Sequence, residues 1–283
     1  MRKVRRLSDY TVTVLGATGK TGRHVASESL ARGWAVRAAT RRPPGRSRWE
    51  PFDWDDPASW PGAFRGSHAA YLVIPFNHPG APEAAPRLIR AVAAAGVARV
   101  VLLSSLDAEG AGPDSPLRMA EEALAASSAR WAALRPTWFL DNFTTGSFAD
   151  MTRAGELRLP AGDAKIPFID ARDVAAVAAA CMAESGPEGI LPLTGPEAID
   201  HHDVARALAT ALRRPDSYMP VAAGEFVEMM TRRGFPHDYA VFLADALAGV
   251  EAIPVSDTVA RVCGRPPFSA AEFAQQFAQQ FAG

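Results

Sequence analysis

Residues 11–26 read TVTVLGATGKTGRHVA, and this stretch decides the fold of the first part of the chain. Residues 11–15 are rich in β-branched side chains and predict a short, buried strand. The residues from Gly22 onward can form a helix, so Gly16 and Gly19 lie in the turn between the two elements. Glycines in such a turn let the backbone approach a ligand closely. The helix start then offers unpaired N–H groups to a pyrophosphate.

The spacing of the three glycines is G-x-x-G-x-x-G, which differs from the G-x-G-x-x-G of the usual dinucleotide fingerprint. A glycine triplet alone is a weak signal, and an ordinary strand–helix turn is the alternative interpretation. The strand before it, the helix after it and a second strand at residues 35–40 favour a nucleotide site.

Strands and helices alternate beyond this turn. Apolar runs at residues 69–74 and 97–103 are typical of strands buried on both faces of a parallel sheet. We therefore predict an α/β fold, with a doubly wound, mostly parallel Rossmann sheet and a smaller, mainly helical C-terminal lobe. The other strands are predicted at residues 12–15, 50–54, 131–135, 166–169 and 190–193. The helices are predicted at residues 22–32, 84–95, 116–126, 171–183, 204–212, 223–232, 238–247 and 270–281.

The domain organisation follows from this order of elements. We expect the Rossmann domain that carries the nucleotide site at residues 8–145, with residues 164–195 returning to the sheet. The lobe is expected at residues 146–163 and 200–283. Asp200 is the predicted N-cap of the first helix of the C-terminal lobe segment.

Composition excludes several classes of function. The chain has 283 residues and a net charge of −1, so it lacks the basic footprint of a nucleic-acid-binding protein. Cys181 and Cys263 form no metal or redox motif, which favours a reducing, cytoplasmic setting. No apolar run reaches the length of a membrane span. His201 and His202 are adjacent and cannot share one helix face as metal ligands do, so we expect both to be solvated and predict no metal site.

The end of the second strand indicates which dinucleotide binds. An NAD site usually has an acid there, whereas this chain has Thr40, Arg41 and Arg42, and its first acid is Glu50. Two guanidinium groups suit a 2′-phosphate, so NADP is the predicted cofactor. A solvated basic loop is the alternative. Lys20 can add charge near the phosphates.

The proton donor of ordinary short-chain dehydrogenases is missing. Those enzymes activate a Tyr with a Lys four residues on, and no Tyr-x-x-x-Lys pair exists in this chain. Alcohol–ketone redox therefore lacks its acid. Quinones, conjugated carbonyls and iminium ions stabilise their own charge after hydride transfer and need no such donor.

Four segments together resemble the NmrA-like group of atypical short-chain dehydrogenases. They are GATGKTG (16–22), AAYLVIPF (69–76), RVVLLSS (99–105) and LRPTWFLDNF (134–143). Within that group the chain is similar to NAD(P)H quinone reductases and to the reductases of ergot alkaloid biosynthesis, which also lack the Tyr/Lys pair.

The resemblance implies roles for individual residues. It places the pyrophosphate on Gly16, Thr18, Gly19, Lys20, Thr21 and Gly22, and the adenosine phosphate on Arg41 with Arg42. It places the adenine between Asp53 and Trp54. The nicotinamide would lie near Ile74, Pro75, Phe76 and Ser104. The substrate pocket would be shaped by Thr137, Trp138 and Asn142. Independently of the resemblance, the rings of Trp138 and Phe143 can stack on a planar aromatic substrate, although some of these aromatic residues equally fit a core.

Ser105 and His78 are the candidate catalytic residues. Ser105 follows a strand at the carboxyl edge, where ligands of open α/β sheets bind. It equally fits a turn cap. His78 follows another strand and can donate a proton, or can simply be solvated.

The first functional hypothesis is an NADPH-dependent oxidoreductase that passes hydride to a planar quinone, for example a polycyclic one. The second is reduction of a conjugated iminium or enone in secondary metabolism. The third is a regulator that senses NADP without turnover. The expected partner is a small molecule rather than nucleic acid or membrane, and a homodimer is compatible with the sequence.

Overall fold

The computed structural model describes residues 10–40, 49–75, 78–215 and 217–281, and it divides into two units. Unit 1 comprises the described parts of Met1–Pro136, Ala171–Leu193 and Thr258–Arg265. Unit 2 comprises those of Thr137–Asp170, Thr194–Asp257 and Pro266–Gly283. The domain bounds given above stay a prediction.

The helices and strands alternate as the sequence indicates. The strands are β1 Thr11–Leu15, β2 Ala35–Thr40, β3 Trp49–Pro51, β4 Ala69–Val73, β5 Arg99–Leu103, β6 Arg130–Pro136, β7 Glu156–Leu159, β8 Gly189–Leu193 and β9 Ser217–Pro220. The α-helices are α1 Gly22–Ala31, α2 Trp60–Phe64, α3 Ala81–Ala94, α4 Pro116–Ala125, α5 Ala149–Ala154, α6 Ala171–Met182, α7 His201–Leu212, α8 Ala223–Arg232, α9 His237–Ala248, α10 Thr258–Cys263 and α11 Ala270–Phe281.

A parallel sheet forms the centre of unit 1. Among the described residues it has seven strands in the order β3-β2-β1-β4-β5-β6-β8, and every pairing is parallel. On either side of the central pair β1 and β4, successive strands are added outward in opposite directions. The carboxyl ends of this pair are therefore the switch point, where ligands bind in such sheets. The predicted doubly wound Rossmann fold is confirmed.

The core of unit 1 explains why this sheet forms. Residues 69–72 of β4 are fully buried, as expected for a central parallel strand. Leu88 and Ile89 of α3 and Leu124 of α4 belong to the same apolar cluster as Leu72. Each such side chain stabilises the fold by about 1.5–3 kcal/mol when fully buried.

Unit 2 is mainly helical, and its local structure corrects one prediction. Residues 166–169 form only isolated bridges, from Ile166 to Ile199 and from Ile169 to Phe139, because Pro167 has no N–H with which to continue a ladder. The unit also contains a two-stranded parallel sheet of β7 and β9 that was not predicted. Asp200 caps α7 as predicted, with a capping box to Asp203.

None of the helices in the described ranges combines the length and the hydropathy needed to cross a membrane.

Candidate functional site

The glycine-rich loop joins β1 to α1 at the switch point of the sheet. Gly16 has a φ of +68°, a left-handed conformation that favours glycine. Its carbonyl accepts a hydrogen bond of 2.8 Å from the N–H of Gly19, which closes the turn. Thr18 and Gly19 are exposed at the tip of the loop, and Lys20 is half-buried.

Gly22 lets the loop and the helix start approach each other. A Cβ at this position would lie 2.2 Å from the carbonyl oxygen of Gly16, so only glycine fits. The first turn of α1 carries no acidic residue that would compete with an anion. The orphan N–H groups and the positive end of the helix dipole therefore make this end of α1 suited to a pyrophosphate.

A buried hydrogen bond fixes the loop to the sheet. The hydroxyl of Tyr71, on β4, donates to the hydroxyl oxygen of Thr21 over 2.8 Å. Burial raises the pKa of Tyr71 well above its ordinary value, so the phenol stays a donor at neutral pH. Thr21 immediately precedes α1, and this bond holds the helix start in place.

An apolar crevice of about 170 Å³ opens beside the loop, at the carboxyl ends of β1, β2 and β4. It is lined by Leu15, Gly16, Ala39, Thr40, Phe52, Trp54, Val73 and Pro75. Apolar walls of this kind fit the faces of a purine. The sequence analysis predicted Gly16, Trp54 and Pro75 as site residues. It missed the other wall residues. Most of them lie at or just beyond the carboxyl end of a strand, and this position is the signal that could have identified them.

Among the described residues, the other predicted adenine and nicotinamide residues lie outside this wall. Asp53 shapes its own loop, since its carboxylate accepts from the N–H of Asp55 and its carbonyl accepts from the Trp60 indole. Ile74 is 2% exposed and packs in the core of unit 1. Arg41, Arg42 and Phe76 lie outside the described residues, so their predicted roles stay predictions.

Glu50, the first acidic residue after β2, forms an ion pair within the protein. It lies on β3, and Arg37 holds it with its Nη2 2.8 Å from Oε1. Arg37 also donates a hydrogen bond of 3.3 Å to the carbonyl of Gly62. Glu50 is therefore a partner of Arg37 within the sheet edge.

His78 is bound on both sides of its ring. Its Nε2 lies 3.1 Å from the carboxylate of Asp55, and its Nδ1 accepts a hydrogen bond of 3.2 Å from the N–H of Gly80. The accepting Nδ1 carries no proton, so the ring proton is on Nε2 and directed at Asp55. This pair joins the loop after β3 to the loop after β4.

Ser104 and Ser105 follow β5 but have different partners. Ser105 caps a short 3-10 turn at Leu106–Ala108: its hydroxyl accepts from the N–H of Asp107 over 3.3 Å. Ser104 is buried and its hydroxyl donates to Glu121 over 2.5 Å. In the described structure the side chain of Ser105 therefore acts as a turn cap, which was the alternative interpretation of this residue.

The predicted substrate residues lie in unit 2, close together in sequence and structure. Phe143 is 1% exposed and belongs to the apolar core of the unit, with Trp138 partly buried against the same cluster. Asn142 is half-buried, and its carbonyl accepts from the N–H of Phe148. Thr137 is buried, and its hydroxyl has no hydrogen-bond partner among the described residues.

One sequence expectation about unit 2 is wrong. His201 was expected to be solvated, and it is fully buried among the rings of Phe143, Phe168 and Tyr218. Its neighbour His202 is exposed, as expected, and lies 3.7 Å from the carboxylate of Asp163. The two adjacent residues point to different environments because they start a helix whose one face packs on the core.

Comparison with known proteins decides the family. Residues 16–185 match the NAD(P)H-binding family, and this match spans the glycine loop, the crevice residues other than Leu15, and strands β2 to β6 of the sheet. The chain belongs to the NAD(P)H-binding family. Binding of NAD(P)H, predicted from the glycine loop, is thereby confirmed, as is the resemblance to the NmrA-like group.

Two curated relatives of this NAD(P)H-binding protein are reductases. NAD(P)H azoreductase of Xenophilus azovorans is 33% identical over 81% of this chain and 82% of its own length. The (4-alkanoyl-5-oxo-2,5-dihydrofuran-3-yl)methyl phosphate reductase of Streptomyces griseus is 34% identical over 95% of this chain and 100% of its own length.

The fold is that of a solved quinone reductase. The NADPH-dependent quinone oxidoreductase QOR2 of Escherichia coli, in complex with NADPH, superimposes with a TM-score of 0.77 over 94% of this chain and 99% of that one. The two sequences are 24% identical, so the likeness establishes a shared architecture.

Proposed function

We propose that this protein is an NADPH-dependent reductase that transfers hydride to a quinone without a Tyr/Lys pair. One observation carries the proposal. The glycine loop, the acid-free start of α1 and the apolar crevice meet at the switch point of the sheet, and no Tyr-x-x-x-Lys pair accompanies them. The reductases among the relatives support the same class of reaction.

The residues of unit 1 fit this cofactor. The loop from Gly16 to Gly22 would hold the pyrophosphate, because a Cβ at Gly22 would fill the cradle. Trp54 and Phe52 would line the adenine in the crevice. Glu50 is held by Arg37, which leaves Arg41 and Arg42 as the charged groups that directly follow β2 in sequence. Their guanidinium groups favour the 2′-phosphate of NADPH over the free hydroxyl of NADH.

The proposed reaction requires little acid–base chemistry from the protein. The reduced nicotinamide supplies a hydride, and a quinone that gains this hydride and one proton becomes a hydroquinone. The protein binds the cofactor and the quinone, orients them, and partly excludes water from the site. His78 directs its ring proton at Asp55, so water is the proton source that fits the described geometry. Thr137, Trp138, Asn142 and Phe143 stay the proposed substrate residues, with Trp138 the best placed of the aromatic rings because it is only partly buried.

The second candidate is reduction of a conjugated enone or iminium ion. The Streptomyces griseus relative favours it, since its name describes a dihydrofuranone that carries a second acyl group. Hydride addition to such an acceptor also needs no tyrosine.

The experiment that separates these candidates measures NADPH oxidation at 340 nm with a panel of quinones, enones and cyclic iminium ions. We expect steady turnover with quinones and none in the absence of an acceptor. Turnover restricted to enones or iminium ions would select the second candidate. NADPH binding without turnover on any acceptor would contradict both and identify an NADP-sensing regulator.

Cofactor preference is tested separately with Arg41→Ala. We expect NADPH binding to weaken about tenfold or more, because a charge-assisted hydrogen bond to the 2′-phosphate is lost, while NADH binding changes little. Arg46→Ala, in the same basic stretch, is the matched control and should leave both affinities unchanged. Equal losses for NADPH and NADH in Arg41→Ala would remove the 2′-phosphate role.

A further inference from the structure

A buried charged cluster lies at the carboxyl end of β5 in unit 1. The hydroxyl of Ser104 donates to Oε1 of Glu121 over 2.5 Å. Arg135, from β6, binds the same carboxylate with two N–H groups, Nε at 3.1 Å from Oε1 and Nη2 at 2.8 Å from Oε2. All three residues are 6–7% exposed. Nη1 of Arg135 lies 2.9 Å from Oε2 of the exposed Glu109.

The hydrogen bonds in this cluster decide whether the hydroxyl of Ser104 can donate to a further group or only accept from it. The two-point hydrogen bond to Glu121 raises the pKa of Arg135, and both oxygens of Glu121 accept an N–H group from this guanidinium. Oε1 of Glu121 accepts both from Nε of Arg135 and from Ser104, so the single hydroxyl proton of Ser104 is used in this bond. Its backbone N–H is also used, since it donates to the carbonyl of Leu134 over 2.8 Å. The hydroxyl of Ser104 therefore meets any further group only as an acceptor.

The position of Ser104 indicates which group that is. Ser104 follows Leu103, which pairs in register with Val73, a wall residue of the crevice. Ser105 is not equivalent, because its hydroxyl already contacts Asp107 twice. A ligand that enters this edge needs a hydrogen-bond donor opposite Ser104. In a nicotinamide cofactor such donors are the carboxamide N–H and the ribose hydroxyls.

We propose that Ser104, held as an acceptor by Glu121 and Arg135, receives an N–H of the nicotinamide carboxamide and so sets the orientation of the ring. Glu121 and Arg135 are then positioning residues that act through Ser104. This inference rests on the proposed NADPH site and adds a determinant of ring orientation to it.

The test compares two reduced coenzymes in binding titrations on the apoprotein, independent of any turnover. One is NADPH, and the other is its 3-acetylpyridine analogue, in which a methyl group replaces the amide NH₂. We expect Ser104→Ala to weaken NADPH binding about fivefold to tenfold, the equivalent of one hydrogen bond. Binding of the analogue should stay unchanged, since it has no N–H to lose.

Glu121→Gln tests the positioning role. A glutamine amide can donate to Ser104 and free its hydroxyl proton, so the same selective loss for NADPH is expected. Glu122→Gln, an exposed neighbour that pairs with Arg118, is the matched control and should change neither affinity. If Glu121→Gln does not fold, Ser104→Ala decides alone.

Three results overturn the inference. Equal weakening of both coenzymes by Ser104→Ala assigns the contact to the ribose or to the fold, and no weakening removes the contact altogether. Both results leave the proposed function standing, because the wild-type protein still binds NADPH. A wild-type protein that binds neither coenzyme would refute the proposed function together with this inference.

Discussion

His201 begins α7 with a buried, neutral imidazole. Its ring centroid lies 5.2–5.8 Å from those of Phe143, Phe168 and Tyr218, and neither ring nitrogen has a hydrogen-bond partner among the described residues. The pKa of His201 is lowered to about 4, chiefly by burial; Asp200 acts to raise it and His202 to lower it, each to a smaller extent. The charged form is thus excluded from the folded state at neutral pH.

This burial makes stability depend on pH. Between about pH 6.5 and 4 the unfolded chain binds a proton at residue 201 that the folded protein does not, so the free energy of unfolding falls as the pH falls. The expected loss is about 3 kcal/mol over that range. Urea denaturation at several pH values measures it. His201→Leu should show a smaller pH dependence, whereas His202→Gln should keep that of the wild type. An unchanged slope in His201→Leu would contradict the assignment.

The sequence could not reveal the burial of His201. Its three aromatic neighbours come from residues 143, 168 and 218, which only the tertiary structure brings together. The local pattern shows two adjacent histidines after an N-cap, a context typical of an exposed helix start. Ser105 is different: its alternative as a turn cap was visible from residue type alone, because Ser readily bonds nearby backbone.

The helices and strands of both units were predicted where the signals were local. The glycine triplet and its flanking periodicities give α1 and β2 almost to the residue, and Asp200 gives the start of α7. The pair β7 and β9 was missed because each strand is only four residues long and its partner is about sixty residues away. In the crevice, Phe52 and Ala39 were missed because their roles depend on strand register.

The junction of loop and helix gives a prediction at this scale. A Cβ in Gly22→Ala would meet the carbonyl of Gly16 at 2.2 Å, so the loop or α1 must move. We expect a loss of about 1–3 kcal/mol in unfolding free energy, as for other overpacked sites, and NADPH binding weakened more than tenfold in a titration. Gly62→Ala in α2 is the control, since nothing lies within 4 Å of its added Cβ. It should bind NADPH normally. Unchanged binding by Gly22→Ala would show that the cradle is not where the pyrophosphate lies.

At the scale of the whole molecule, alternation along the chain predicted the Rossmann class, whereas the strand order had to come from the structure. Right-handed crossovers are compatible with several orders, and long-range packing selects β3-β2-β1-β4-β5-β6-β8. The candidate site was predicted in the same uneven way. The loop, Trp54 and Pro75 were identified, while Glu121 and Arg135 lie on separate elements and have no sequence signature of their own.

The last piece of unit 1 comes from far along the chain. Residues 258–265 include α10, and Nη1 of Arg265 lies 2.7 Å from the fully buried carboxylate of Asp173 on α6. During synthesis on the ribosome, Asp173 emerges some ninety residues before this guanidinium does. The dinucleotide-binding half therefore reaches its final charge balance only after these further residues have been translated, long after its glycine loop has been made.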